Sequence, residues 1–251
     1  MHGITMPVTG NKSLLNYSLS IRLCTDGFSF LVSSLGSGQT LLQETLRCGD
    51  KETMSEALVR GLQLPRIAGR HYERVILYST LPSTRVPLDE FRREDMLALY
   101  RLTFSGGAYR PEEMCFQVLP SLEVVEIFPL QISIVQALRQ HFPSALVQGL
   151  YGAMLCHIAE MQQGSMLPVS YHAVVLDGGV LIATLNSGKL HYANIFRAVG
   201  NQNILYFILY VWKTLALDAW HDLCTLYSAD QDLYNEVCQY LANVELRDMN
   251  I

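Results

Sequence analysis

The chain has 251 residues, half of them hydrophobic and 16% charged, so it can bury a large core and does not have the composition of a disordered protein. Its 18 basic and 23 acidic residues give a net charge of −5, and no basic block is present that would bind the phosphate backbone of a nucleic acid. The amino terminus lacks an apolar signal core, and six cysteines without a Cys-x-x-Cys pair favour reduced thiols in a cytoplasmic protein over a zinc site.

The first elements form a predicted three-stranded meander within residues 14–48. Apolar residues alternate with polar ones from Leu19 to Leu23, which is typical of a half-buried strand, and Asp26-Gly27 is a hairpin signal. A helix follows with Thr53 as its predicted N-cap and a glutamate three residues later, the pattern of a capping box.

The remainder of the first half alternates strands with helices. An apolar strand from Arg74 has the character of a strand buried on both faces. The other predicted strands are MCFQVLP, LEVVEIFP and the short SALVQG, and the predicted helices are REDMLALYRLTF, LQISIVQALRQHF and LYGAMLCHIAEMQQG, the last ending at Gly164.

The same order of elements restarts after residue 164. Three strands in YHAVVLD, GVLIATLNS and KLHYANIF are joined by tight turns, the first at Asp177-Gly178-Gly179. A helix then covers residues 202–217, and we expect its Phe207 and Val211 to face the sheet. Its apolar run is nine residues long, far short of the roughly 20 that span a membrane, so no transmembrane segment is predicted. The chain ends with a strand, a helix and a short strand in DLCTLYS, DQDLYNEVCQYLA and NVELRD.

Two such units in tandem resemble the actin-like ATPase superfamily, which includes actin, hexokinase and Hsp70. The segments LSIRLCTDGFSFLV, YSTLPSTRVPLDEF, LNSGKLHYANIF and LYFILYVWKTLALD resemble an uncharacterised bacterial family, a domain of unknown function with the actin-like fold. That family is distantly similar to the actin-like proteins of type IV pilus assembly and type II secretion. The resemblance implies an α/β fold of two ribonuclease H-like lobes, 1–164 and 165–251, each a three-strand meander followed by alternating helices and strands.

The resemblance also implies where phosphates would bind. The first hairpin of each superfamily lobe carries an Asp-Gly turn whose backbone N–H groups hold phosphate. The candidate phosphate turns are therefore Asp26, Gly27 and Ser29 in the first lobe and Asp177, Gly178 and Gly179 in the second. We expect Asp26 and Asp177 at the tips of equivalent hairpins that face one cleft between the lobes. A plain hairpin without ligand is the favoured interpretation of each turn, because aspartate and glycine satisfy turn geometry alone.

Two features depart from the nucleotide-binding pattern. The superfamily seats adenosine on a Gly-Gly pair, whereas here DLCTLYS is followed by Ala229-Asp230-Gln231 and no glycine occurs after Gly200. Phe28 also stands where small or hydroxyl residues are usual. We therefore predict a non-catalytic binding or scaffold module without cofactor that acts through an unknown protein partner. The alternative is a nucleotide-binding ATPase that uses Mg-ATP, and a sugar or acetate kinase has less support.

Four other motifs are predicted to have structural roles. GSGQT, residues 36–40, lacks the lysine and spacing of a phosphate loop. Neighbouring residues on a helix point about 100° apart, so Cys156 and His157 do not face each other, and His157 with Glu160 are too few ligands for a metal. The pair His221-Asp222 lies where polar residues cap and turn. The charged segment DEFRREDM, which contains Arg92 and Arg93, is a solvated helix start or, as the alternative, a partner-binding rim.

Overall fold

The computed structural model describes residues 16–106, 108–162 and 169–249. The predicted helix end at Gly164 and the predicted division there lie outside these residues. The chain divides into two compact units: unit 1 comprises Met1–Leu81 and Leu130–Gln148, and unit 2 comprises Pro82–Pro129 and Gly149–Ile251.

Apart from the short helix Pro65–Ala68, which was not predicted, the described residues form strands and helices in the predicted order. The strands are β1 Tyr17–Cys24, β2 Gly27–Ser34, β3 Thr40–Arg47, β4 Tyr72–Ser79, β5 Thr84–Pro87, β6 Met114–Leu119, β7 Val124–Pro129, β8 Leu146–Gly149, β9 Val169–Leu176, β10 Gly179–Asn186, β11 Lys189–Arg197, β12 Cys224–Tyr227 and β13 Val244–Arg247. The helices are α1 Met54–Leu62, α2 Pro65–Ala68, α3 Met96–Thr103, α4 Ile132–His141, α5 Leu150–Met161, α6 Asn201–Thr214 and α7 Gln231–Val237.

Unit 1 is built on a five-stranded sheet in the order β3-β2-β1-β4-β8. Strands β1, β2 and β3 are antiparallel, and β4 runs parallel to β1. The alternation predicted for β1 is confirmed, because Leu19, Ile21 and Leu23 are all buried. Helix α1 begins at the predicted capping box, in which the Thr53 side chain accepts from the Glu56 amide and the Glu56 carboxylate accepts from the Thr53 amide.

Unit 2 repeats this sheet. Its strands have the order β11-β10-β9-β12-β13, again an antiparallel meander with a parallel strand beside its first member. Unit 2 also contains a separate three-stranded sheet in the order β5-β7-β6. The duplicated order of elements that the sequence predicts is therefore confirmed in the two five-stranded sheets.

Helix α6 covers one face of the five-stranded sheet of unit 2. Val211 is buried as predicted, together with Ile204, Ile208 and Trp212. Phe207 lies instead on the flank of the helix, half-buried, where its ring stacks on Phe196 of β11 at 4.6 Å between centroids. The prediction that Phe207 faces the sheet is therefore met only at the edge strand β11, whereas Ile208 occupies the line of the helix that points into the core. No helix among the described residues is long and apolar enough to cross a bilayer.

The opposite face of the five-stranded sheet of unit 2 contains a buried histidine. His172 of β9 is fully inaccessible to solvent, and its Nδ1 lies 3.5 Å from the Tyr227 hydroxyl. Its Nε2 has no hydrogen-bond partner among the described residues. Burial, with a smaller contribution from Arg247, lowers the pKa of His172 to about 4, so the imidazole is neutral near pH 7.

The difference in burial between Ile208 and Phe207 gives a first test. Ile208→Ala should lower the free energy of unfolding by about 3–4 kcal/mol, and Phe207→Ala by about 1–2 kcal/mol, since only the first empties a closed site. Urea unfolding of the two matched variants measures both values. A larger loss for Phe207→Ala than for Ile208→Ala would contradict the packing described here.

His172 gives a pH-dependent test. The unfolded chain protonates this imidazole near pH 6.5 and the folded chain only near 4, so stability is lost as the pH falls between these values. At about 1.4 kcal/mol per pKa unit the loss by pH 4.5 is about 2–3 kcal/mol. In His172→Gln, the difference in unfolding free energy between pH 7.5 and 4.5 should shrink by that amount, and an unchanged difference would rule out the histidine as its source.

Candidate functional site

The first candidate phosphate turn is a two-residue hairpin turn. Cys24 pairs with Gly27 across the hairpin, so Thr25 and Asp26 form the turn itself. The Asp26 side chain is exposed and lies 3.3 Å from Nε of Arg47. An exposed ion pair of this kind contributes little stability, but it places a cation beside the only carboxylate of this turn.

The second candidate turn has the same register in unit 2. Leu176 pairs with Gly179, so Asp177 and Gly178 form the turn. Gly178 has φ +77°, a left-handed conformation that glycine adopts without a Cβ penalty. The Ala198 amide donates to the Gly178 carbonyl at 3.1 Å.

The repeat extends to the third strand of each meander. Gly27 pairs with Arg47 and Gly179 with Arg197, and the Cys48 amide donates to the Asp26 carbonyl at 2.7 Å, as the Ala198 amide does to Gly178 in unit 2. Asp26 therefore corresponds to Gly178. Both aspartates lie at the tips of equivalent hairpins as predicted, although Asp177 stands one position earlier in its turn than Asp26 does. That the two tips face one cleft stays a prediction.

Steric constraint explains the glycine that follows each turn. A Cβ at Gly27 would lie 2.0 Å from the Leu46 carbonyl oxygen, and one at Gly179 would lie 2.4 Å from that of Phe196. Such distances are far inside van der Waals contact, so each hairpin requires glycine with or without a phosphate. The glycines are therefore not evidence for a ligand.

The remaining residues of the first candidate turn lie in strand β2. Ser29 is half-buried and pairs with Arg22 and Thr45 across the two neighbouring strands, away from the turn. Phe28, which stands where small or hydroxyl residues are usual, is fully buried, so its ring lies in the core and not beside the turn. The side chain points into the core because residue 28 belongs to the apolar face that also carries Phe30.

The superfamily's adenosine-binding Gly-Gly pair would follow strand β12, and in this chain that position is the start of helix α7. Asp230 is the N-cap of this helix, and its Oδ1 accepts from the amides of Asp232 at 2.9 Å and Leu233 at 3.0 Å. The Asn201 side-chain amide donates to Oδ2 at 3.0 Å. The Leu233 amide, followed by Asn201, lowers the pKa of Asp230, so this position carries a negative charge at neutral pH.

A buried polar cluster in unit 2 was not predicted. Glu126 of β7 is fully buried and pairs in register with Arg85 of β5. The Ser83 hydroxyl donates to its Oε1 at 2.6 Å, and the Gly152 amide donates to its Oε2 at 3.0 Å. Burial raises the pKa of Glu126 and lowers that of Arg85, and each opposes the shift of the other.

Glu126 lies in strand β7 and caps the start of helix α5. Helix α5 has no side-chain cap of its own at Gly149. Instead, Glu126 accepts from the amide of Gly152 in its first turn, and Gln117 of β6 accepts from the Gly149 amide at 3.0 Å. A Cβ at either glycine would lie 2.2 Å from Oε2 of Glu126. The signal in the sequence is a single glutamate inside an apolar strand together with two glycines three residues apart at a helix start.

The other motifs have structural roles in the described residues. GSGQT forms an exposed turn in which the Ser34 amide donates to the Gln39 carbonyl. No cluster of metal-binding side chains occurs in the described ranges, Cys156, His157 and Glu160 included. Asp218 accepts from the amides of Trp220 and His221, which identifies the segment around His221 as a capped turn. Arg92 donates to backbone carbonyls of its own loop.

Comparison with solved structures identifies the fold. A Bacteroides thetaiotaomicron protein of unknown function with an actin-like ATPase fold is 24% identical over 93% of this chain and 91% of that one, with a TM-score of 0.74. The PilM–PilN type IV pilus biogenesis complex gives 11% identity over 92% of this chain and 88% of the matched chain, with a TM-score of 0.55. The cytoplasmic domain of EpsL from the Vibrio cholerae type II secretion system is 13% identical over 94% of this chain and 91% of the matched chain, with a TM-score of 0.46. The chain therefore has the actin-like ATPase fold that the sequence predicts.

Comparison with protein families places the chain more narrowly. Residues 10–244 match the family described as Protein of unknown function (DUF3822), and the chain belongs to that family. None of the curated proteins to which the sequence was compared matches it. The predicted membership of an uncharacterised family with the actin-like fold is confirmed.

The cap of α5 gives a test of the buried cluster. In an unconstrained helix, Gly→Ala gains up to about 1 kcal/mol, whereas Gly152→Ala should cost about 1–3 kcal/mol, because the new Cβ collides with the Glu126 carboxylate. Thermal unfolding measures the sign. Gly36→Ala, at an exposed turn with open space around the glycine, is the matched control and should change stability little. Stabilisation by Gly152→Ala would contradict the packing of α5 on Glu126.

Proposed function

We propose that this protein is a non-catalytic binding or scaffold module of the actin-like fold, with a degenerate nucleotide site and a protein partner. The observation that carries the proposal is the start of α7. The amides that begin this helix are bonded to the Asp230 carboxylate, which presents a side chain and a negative charge where the superfamily presents glycine backbone.

The start of α5 supports the same conclusion. The amides of Gly149 and Gly152 would be available to an anion at an uncapped helix start, but they donate to Gln117 and Glu126. Two helix starts in unit 2 thus have their donors satisfied by the protein itself. A nucleotide would have to displace these bonds and would meet carboxylates at both places.

The partner is proposed from the fold. The type IV pilus protein with a TM-score of 0.55 was solved as a PilM–PilN complex, so the actin-like fold binds a protein there.

No disulfide bond joins the six cysteines of the present chain, all of which lie among the described residues. This supports the proposal of a cytoplasmic protein, since thiols remain reduced in that compartment.

The second turn favours the alternative of a Mg-ATP-binding ATPase. Arg197 stands opposite Gly179, and among the described residues it forms no ion pair like that of Arg47 with Asp26. A Cβ at Gly178 would have no neighbour within 4 Å, so space is open beside this turn. Asp177, Gly178 and Gly179 therefore remain the candidate phosphate residues of this alternative.

Isothermal titration with Mg-ATP and Mg-ADP, beside a phosphate-release assay, separates the two functions. We expect no binding at micromolar concentration and no hydrolysis, since each 1.4 kcal/mol of lost adenosine contact weakens affinity about tenfold. A dissociation constant below about 10 μM that Asp177→Ala weakens would overturn the scaffold proposal. Asp89→Ala, at an exposed aspartate remote from both turns in the sequence, is the matched control and should have no effect.

A further inference from the structure

Strand β11 has a free edge. Within the described part of the chain it is the outermost strand of its sheet, with β10 as its one neighbour. The Ala198 amide points inward to the Gly178 carbonyl, so the amides of residues 197, 195 and 193 point outward by alternation. The Ile195 amide confirms this direction, because its bond is to the exposed side chain of Asn194, at 2.9 Å, and not to β10.

Aromatic side chains line the helix beside this edge. We call Phe196, Phe207, Tyr206 and Tyr210 the aromatic strip. Phe207 stacks on Phe196 of the edge strand, Tyr206 meets Phe207 edge-on at 5.3 Å, and Tyr206 stacks on Tyr210 at 5.9 Å. Tyr206 is 59% exposed and Tyr210 52% exposed. Exposed aromatic residues at this density are typical of protein-binding surfaces.

The two elements of this surface carry cations and no carboxylate of their own. Neither β11 nor α6 contains an aspartate or a glutamate, although the chain carries a net charge of −5. The cationic side chains of the two elements are Lys189, Arg197 and Lys213, and Glu123 from the loop before β7 engages Lys189 at 2.8 Å. An acidic segment therefore complements this edge better than a basic one.

A second copy of the chain fits the edge poorly when the whole lengths of the two β11 strands are paired. Antiparallel pairing of β11 with itself about Ala193 would place Arg197 directly opposite Lys189 of the other copy, at both ends of the pair. Like charges in directly opposed cross-strand positions are destabilising. The charge pattern thus disfavours symmetric pairing about Ala193, the midpoint of the strand.

We propose that β11 binds an extended acidic segment of a partner protein as a sixth strand, with alternate apolar side chains of that segment packed on the aromatic strip. Backbone hydrogen bonds to the outward amides supply affinity, and the strip and the cations supply selectivity. The inference rests on the proposed function in that it specifies the protein partner. Its test contains no nucleotide, so its failure and the failure of the nucleotide prediction are distinguishable.

The probe is a capped, fluorescein-labelled peptide of the length of β11 in which glutamate alternates with valine. Fluorescence anisotropy with the full chain should show saturable binding, weakened at least about tenfold when lysine replaces every glutamate. Binding should also weaken as salt is raised, because charge complementarity is screened. Absence of binding at about 1 mM chain, or equal binding of the lysine peptide, would overturn the proposal.

Variants locate the binding. Ile195→Pro removes an outward amide that makes no bond to β10, and proline is tolerated on an edge strand, so the chain should fold and lose binding at least about tenfold. Thr45→Pro is the matched control, because Thr45 stands two residues before Arg47 on edge strand β3, as Ile195 does before Arg197. Tyr206→Ala with Tyr210→Ala changes exposed side chains only and should weaken binding without lowering the melting temperature by more than a few degrees.

Asn194→Ala gives a change in the opposite direction. It releases the Ile195 amide from the Asn194 side chain, so the glutamate peptide should bind more tightly. Loss of binding with Thr45→Pro but not with Ile195→Pro would assign the peptide to β3 and overturn the proposal. Two further results would overturn the proposal by assigning the β11 edge to another occupant. A dimer in sedimentation velocity that Ile195→Pro dissociates would assign the edge to a second copy of the chain. Peptide binding that appears only after deletion of residues 1–15 would assign it to that segment.

Discussion

The close approach of a glycine to the third strand of each meander is the constraint on which both five-stranded sheets depend. At Gly27 and Gly179 the carbonyl oxygen of the facing strand occupies the place that a Cβ would take. This contact holds the first hairpin and the third strand in one register, so that Arg47 and Arg197 stand opposite the two glycines. The two turns match because the backbone matches, and their side chains are free to differ. That is why one turn carries its aspartate beside an arginine and the other does not.

Much of the fold could be predicted from the sequence because its signals are local. Alternation from Leu19 to Leu23, the tight turns and the capping box at Thr53 each involve residues within a few positions of one another. The repeat then followed from the order of these elements. Burial along α6 was harder to predict, since Phe207 and Ile208 are adjacent and equally apolar. Only the position of β11 beneath the helix flank decides that Phe207 stacks on Phe196 while Ile208 enters the core.

The candidate site could be predicted less well, because its decisive contacts join distant residues. Glu126 binds Ser83, 43 residues earlier, and Gly152, 26 residues later. No local pattern identifies such partners, and a glutamate in an apolar strand is ambiguous by itself. The one-residue offset between Asp26 and Asp177 was missed for a similar reason. Both precede a glycine in the sequence, and only the cross-strand pairing shows which glycine is equivalent in the two units.

The distribution of backbone donors connects these observations to function. Helix starts attract anions because their first amides lack partners within the helix. In this chain one amide in the first turn of each of α1, α5 and α7 donates to a side-chain oxygen, of Thr53, Glu126 and Asp230 respectively, so these three amides are not free to bind phosphate. The outward amides of β11 are bonded differently, since the one at Ile195 is held only by an exposed side chain that a strand can displace. A free strand edge recognises extended peptide and not phosphate, because it offers alternating donors and acceptors at the spacing of another backbone. Other edge strands share that property, and what separates β11 from them is the aromatic strip together with the absence of carboxylates on its two elements.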